Sequence, residues 1–157
     1  MARLLIVAVA GRLPHWAESA CVEYLKRMPR GYETRRIAVK PEPRSAGRQP
    51  AQLLAAEAKR VVAALPAAAL RIALDERGDE LRTAQFAPRL RDWLSSSAQL
   101  AFLIGGADGL DGALLRSCAW RLRLSAFTLP HALAQVLLCE QLYRAASLLT
   151  GHPYHRA

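Results

Sequence analysis

The residues able to do chemistry gather in the last third of this 157-residue chain. Leu100-Ala101-Phe102-Leu103-Ile104 reads as a buried strand that runs into Gly105-Gly106-Ala107-Asp108-Gly109-Leu110. Glycines after a buried strand let a ligand approach the backbone, and they serve a tight turn equally well. Their spacing is neither the G-x-G-x-x-G of dinucleotide enzymes nor the G-K-[ST] of a P-loop. The second stretch is Leu124-Ser125-Ala126-Phe127-Thr128-Leu129-Pro130-His131. Its backbone can bind the polar edge of a small molecule while Phe127 and Leu129 supply apolar walls. An ordinary loop, with Thr128 hydrogen-bonded locally, fits the same letters. The third stretch is the tail Gly151-His152-Pro153-Tyr154-His155-Arg156. A proline, a tyrosine and two histidines are a poor composition for disorder, so the tail is read as ordered and site-forming. No cysteine and few carboxylates gather near His152 and His155, and a structural zinc needs four ligands, so no metal is expected. Between loop and tail, Glu140 and Arg144 stand i, i+4, the spacing of an ion pair. They are read as a structural pair across a dimer.

The elements that position these residues follow from periodicity. Leu4 to Val9 is a continuous apolar run, as expected of a strand covered on both faces of a parallel sheet. Ala17, Ala20, Cys21, Tyr24, Leu25 and Met28 make one helical stripe, which Pro29 and Gly31 end. Tyr32 to Val39 is a second strand. Lys40 to Pro50, with three prolines and a glycine, reads as a mobile loop; its Arg44 and Arg48 suit either a phosphate-contacting finger or plain solvation. A helix over Gln52 to Leu65 follows. Leu70 to Leu74 is the third strand, and Asp75-Glu76-Arg77-Gly78 is read as the turn after it. Thr83 is the expected N-cap of the next helix, in which Pro88 predicts a late start or a distortion. After the strand Gln99 to Ile104, Asp111 caps a short helix to Ala119, and Trp120 to Leu124 alternates as a half-exposed strand. The last helix, His131 to Leu149, spans roughly 19 residues or about 28 Å at 1.5 Å per residue. It is apolar nearly all round, which demands cover on every side. A chain of this size rarely encloses a terminal helix so fully, so a two-fold homodimer through this helix is predicted.

Alternation of strand and helix from end to end gives an α/β fold. It is a single domain over 1–157, with a mostly parallel sheet and helices on both faces. Ligands of such sheets bind beyond the carboxyl ends of the strands, which here are Gly11, Leu74, Gly105 and Ser125. The chain carries 22 Lys/Arg against 13 Asp/Glu, net +9. Residues 1–60 hold 12 of those bases and 5 of those acids. This asymmetry suits a polyanion met mainly by the first half, or an arginine-rich solvated surface. Cys21, Cys118 and Cys139 lie far apart in apolar helical contexts, as buried reduced thiols do in the cytoplasm. No window is long and uncharged enough to span a membrane, and the apolar start is too short for a signal peptide. The expected location is cytoplasmic.

In order and spacing, several segments resemble one family over essentially the whole chain. They are Val7-Ala8-Val9 with Gly11, Tyr24-Leu25-Lys26-Arg27, Leu74-Asp75 with Gly78, Ile104-Gly105-Gly106 with Gly109-Leu110, Leu124-Ser125 with Thr128-Leu129-Pro130-His131, Gln141-Leu142-Tyr143-Arg144-Ala145 and Tyr154-His155-Arg156. The family is the ribosomal RNA large-subunit pseudouridine N3-methyltransferases of the SPOUT class. Two positions depart from its pattern: Ala10 stands where glycine is frequent, and Asp79 follows Gly78 where lysine is common. The resemblance implies a deep C-terminal trefoil knot, a homodimer, S-adenosylmethionine as methyl donor and large-subunit rRNA, free or in the ribosome, as partner. It implies a cofactor pocket lined by Leu74, Gly105 and the run Leu124, Ser125, Ala126, Phe127, Thr128 and Leu129. The expected catalytic set is Tyr154 for stacking or orienting the base, His155 as proton acceptor, and Arg144 or Arg156 against the developing imide anion. Two alternatives stand beside it. A non-catalytic RNA-binding or ribosome-assembly factor would need the charge without the loops, and a nucleotide enzyme with a Rossmann sheet would follow from alternation alone.

Overall fold

The computed structural model describes residues 1–45 and 47–154. Its elements alternate throughout: β1 (Ala2–Val9), α1 (His15–Lys26), β2 (Tyr32–Val39), α2 (Pro50–Ala63), β3 (Leu70–Glu80), α3 (Thr83–Ser96), β4 (Gln99–Ile104), α4 (Gly112–Arg116), β5 (Trp120–Arg123) and α5 (His131–Leu149). All five strands pair in parallel, in the order β2-β1-β4-β3-β5. That order is not the 3-2-1-4-5-6 of a Rossmann sheet, so alternation alone does not lead to the dinucleotide fold.

Each sheet face has its own core. One holds Leu4, Ile6, Ile72, Leu100 and Phe102 against Cys21 of α1, Leu90 and Trp93 of α3, and Leu138 and Leu142 of α5. The other holds Val7, Val9, Ala101 and Leu103 against Val61 of α2 and Leu114 of α4. Successive residues of a strand point to opposite faces, which is why β1 and β4 read as unbroken apolar runs. Phe86, Trp93 and Phe102 meet edge-on, with centroids 6.3–6.5 Å apart, tying α3 to the centre of the sheet.

Helix α5 lies on the same face as α1 and α3 and packs against both. From His131 to Leu149 every residue is buried or half-buried within the one chain. Helices α1 and α3 and the sheet cover part of its surface, and Leu133, Val136 and Leu137 are left half-buried. Leu133 and Leu137 belong to neither core cluster.

Three expectations are corrected. Asp75–Gly78 is not the turn after β3: the strand continues to Glu80, with a register shift against β5 between Leu74 and Asp79. Gly78 permits this, since a Cβ there would stand 2.6 Å from the Arg121 carbonyl oxygen. Thr83 is the first helical residue, with Arg82 at the N-cap, and its hydroxyl donates instead to Gln141 Oε1 on α5 at 2.8 Å. Helix α3 runs through Pro88 without interruption. Asp111 does cap α4, its carboxylate accepting from the Leu114 N–H at 3.1 Å.

Candidate active site

Where β1, β4 and β5 end, beside the middle of β3, an open cleft of about 1120 Å³ lies between the glycine loop and the β5–α5 loop. Leu74, Gly105, Leu124, Ser125, Phe127, Thr128 and Leu129, which the resemblance implies for the donor pocket, stand in its lining. Ala126 sits in the same loop, exposed, but is not part of the wall. The walls are apolar at Val9, Leu74, Ile104 and Leu129 and charged at the mouth, where Arg12, Arg44, Arg77, Arg121 and Arg123 stand beside Glu42, Asp75, Glu76 and Asp108.

The glycine loop is compact. Gly109 N–H donates to the Gly106 carbonyl at 3.1 Å, and Gly109 adopts φ +80°, open to glycine at little steric cost. A Cβ on Gly105 would fall 2.4 Å from the Gly109 carbonyl carbon. At Gly106 the nearest atom would be Val9 Cγ1 at 3.4 Å. Only the first glycine is thus compelled by close packing.

The β5–α5 loop offers its backbone to the cleft. Among the described residues, one hydrogen bond reaches a main-chain group of Ser125–Leu129, from Phe127 N–H to Ser125 Oγ at 2.9 Å. The remaining N–H and C=O groups are open to a neutral ligand edge that both donates and accepts. An adenine edge between apolar walls has that character, so the wall fits S-adenosylmethionine.

His131 was not singled out from the sequence for any role. Its ring lines the cleft in the first turn of α5, with Nδ1 3.1 Å from the Gly105 carbonyl and Nε2 2.9 Å from Gln135 Nε2. Burial lowers its pKa below the ordinary value, and the Gly105 carbonyl opposes that shift. The signal available in the sequence was a histidine four residues before a glutamine on an otherwise apolar helix, one turn apart.

The loop between β2 and α2 is fastened rather than free. Glu57 of α2 is 3% exposed and accepts from the Glu42 N–H at 2.9 Å and from Arg44 Nη1 at 2.9 Å. Arg44 also donates to Asp108 of the glycine loop at 3.1 Å. Arg48 and Arg60 both pair with Glu42. The two arginines read as a phosphate finger already hold carboxylates. Arg12 and Arg77, at the mouth, have no ion pair among the described residues.

Tyr154 lies elsewhere. It packs against Tyr143 with the rings tilted by 49° and centroids 4.3 Å apart, receives the Arg144 guanidinium 4.9 Å above its ring, and donates its hydroxyl to Glu140 Oε1 at 3.3 Å. Arg144 donates to the same carboxylate at 2.8 Å, so the Glu140–Arg144 pair forms within one chain and not across a dimer. Burial and then the Glu140 charge raise the Tyr154 pKa, so the ring is a neutral phenol at pH 7. Arg144 stands 13 residues beyond His131 on one straight element, roughly 20 Å along it. The chain does not bring Tyr154 and Arg144 to its own cleft. His155 and Arg156 lie outside the described residues.

The family described as "Predicted SPOUT methyltransferase" matches residues 2–155. This chain belongs to the SPOUT methyltransferases. It is 52% identical over 155 residues to "Ribosomal RNA large subunit methyltransferase H" of Bordetella avium, covering 99% of both chains. It is 55% identical over 154 residues to the protein of the same name from Verminephrobacter eiseniae, covering 98% of this chain and 99% of that one. Among solved structures, "Probable Methyltransferase from Bordetella pertussis Tohama I" superposes with TM-score 0.55 at 19% identity, over 92% of this chain and 96% of that one. At that identity it speaks for the fold alone.

Proposed function

We propose that this SPOUT methyltransferase moves the methyl group of S-adenosylmethionine to N3 of a pseudouridine in large-subunit ribosomal RNA. The observation that carries the reading is the cleft at the strand ends, with apolar walls and an open backbone edge in Ser125–Leu129. The relatives above, about half identical over their full length, supply the rRNA substrate class. Leu74, Gly105 and Leu124 to Leu129 would hold the donor. When bound, S-adenosylmethionine supplies a methyl on a positively charged sulfur that leaves as a neutral thioether. N3 of pseudouridine is a weakly acidic imide whose proton must leave as the N–C bond forms. The protein's share is to hold the two reacting atoms in line, to exclude water and to receive that proton.

Tyr154, a neutral phenol, suits stacking or orientation of a splayed base; His155 is the candidate proton acceptor, an imidazole being able to take and release a proton near neutrality; and Arg144 would oppose charge on the imide. Tyr154 and Arg144 sit toward the end of α5 opposite the cleft, so on this reading they serve a cleft supplied by a second copy. A two-fold dimer along α5, through the half-buried Leu133, Leu137 and Leu148, meets that requirement. The chain 1–157 then works as one domain, with the C-terminal knot of its class, in the cytoplasm.

Calorimetry should give saturable binding of S-adenosylmethionine, and mass mapping of rRNA from a deletion strain should show one pseudouridine without its methyl. Absence of donor binding would favour an RNA-binding assembly factor instead. Turnover of Tyr154→Phe and His155→Ala tests the tail; near-wild-type rates in both remove it from catalysis.

A further inference from the structure

We propose that His131 is the positioning residue of the donor cleft: as a neutral imidazole it ties the Gly105 carbonyl to the first turn of α5 and so sets the gap between the two ligand-binding loops. This deepens the reading above and rests on it. Three observations converge. Gly105 ends β4 at the point where the wall turns into the glycine loop, and its α-carbon is already held against Gly109 on one side. On the other side its carbonyl oxygen, beyond the β1 and β3 pairing, has His131 Nδ1 at 3.1 Å. A carbonyl can only accept, so Nδ1 carries the hydrogen. Gln135, 3% exposed, presents its amide nitrogen 2.9 Å from Nε2. An amide nitrogen can only donate, so Nε2 is bare. The two contacts together select one tautomer of one protonation state, and burial favours the uncharged ring.

The mechanical consequence follows from the chain path. His131 directly follows the loop Leu124–Pro130, and Gly105 opens the facing loop. Without the imidazole bridge, the described contacts leave no hydrogen bond joining the two loops across the cleft. Each loop would still fold on its own element, but the opening between them would no longer be fixed. Loss of this bridge should weaken donor binding, and it should weaken ground state and transition state alike, which appears in KM rather than kcat.

The test compares His131→Asn, whose amide nitrogen takes the place of Nδ1, with His131→Leu, which fills the space without a donor. His131→Leu should raise the dissociation constant and KM for S-adenosylmethionine by about 10-fold with kcat nearly unchanged, and His131→Asn should restore both to within about 3-fold. Hydrogen exchange on the donor-free protein reads the bridge separately from donor binding: His131→Leu should speed exchange in Gly105–Leu110, and His131→Asn should not. Nitrogen-15 shifts of the wild-type ring at pH 7 should show a protonated Nδ1 and a bare Nε2. If exchange in Gly105–Leu110 is the same in wild type and His131→Leu, or the ring carries its proton on Nε2, the proposal is overturned. So it is if His131→Asn loses donor binding as His131→Leu does while exchange stays slow. Failure of the wild type to bind S-adenosylmethionine, with exchange behaving as expected, overturns the donor reading and leaves the bridge standing.

Discussion

Glycine positions 105 and 106 look alike as letters and differ in what surrounds them. Gly105→Ala drives a methyl group into the Gly109 backbone at 2.4 Å, whereas Gly106→Ala meets only Val9 at 3.4 Å. Overpacking against backbone costs about 1–3 kcal/mol, so urea denaturation should show that loss for Gly105→Ala and under about 0.5 kcal/mol for Gly106→Ala. Donor affinity should fall in the first alone. The pH dependence of stability belongs to single side chains too. His131 has its pKa lowered in the fold, so the unfolded chain takes up the proton first as acid is added. Its contribution is whole above the unfolded value near 6.5 and declines as pH falls from there toward the folded value. Glu18 and Glu42 are lowered by hydrogen bonds from Arg36 and Arg48, so their contributions are present above about 4.5 and lost below it as those carboxylates take up protons. Thermal midpoints should therefore decline in two stages on acidification, and His131→Asn should lack the first.

At the scale of elements, periodicity in the sequence carried all ten segments and their order, because apolar runs and stripes are what a two-faced sheet requires. Their neighbours were not legible: nothing in β1 or β3 says that β4 lies between them, since strand order depends on contacts across the whole chain. The overrun of β3 was masked by Asp75-Glu76-Arg77, whose charges look like a turn. The clue lay in Gly78, a lone glycine within a strand, which marks close approach of another backbone; here it is that of Arg121. Lys40–Pro50 read as mobile because prolines and glycine exclude regular structure, yet its order comes from Glu57, a lone acid on α2 that the loop covers. Glu57→Ala would leave Arg44 and the Glu42 N–H without their buried acceptor. It should cost about 2 kcal/mol in denaturant unfolding and open the loop to limited proteolysis between residues 40 and 50.

For the whole molecule, the positive charge acquires an address. Among the described residues, Arg44, Arg48 and Arg60 are engaged with carboxylates, while Arg12 and Arg77 at the cleft mouth are not. Affinity for an rRNA stem-loop should fall steeply with salt, and Arg12→Ala or Arg77→Ala should each lower the slope of log affinity against log salt by about 1. Arg48→Ala should leave that slope unchanged. Leu137→Glu, on the half-buried ridge of α5, should give a monomer by sedimentation. That monomer should still bind S-adenosylmethionine, because the cleft is built within one chain, but should lose turnover.

A helix of 19 residues that starts at the cleft and ends at the tail also has a genetic consequence. In the proposed dimer, cleft and tail should behave as two separable cistrons that happen to share one polypeptide. A variant dead in the cleft, such as Gly105→Ala, and one dead in the tail, such as Tyr154→Ala, should each be inactive alone and complement one another when subunits are exchanged. Random mixing in equal amounts makes half the dimers mixed, each with one site free of lesions, so recovery should approach about one quarter of wild-type turnover for a two-fold pair. Were both halves of the chemistry in one chain, mixing would recover nothing.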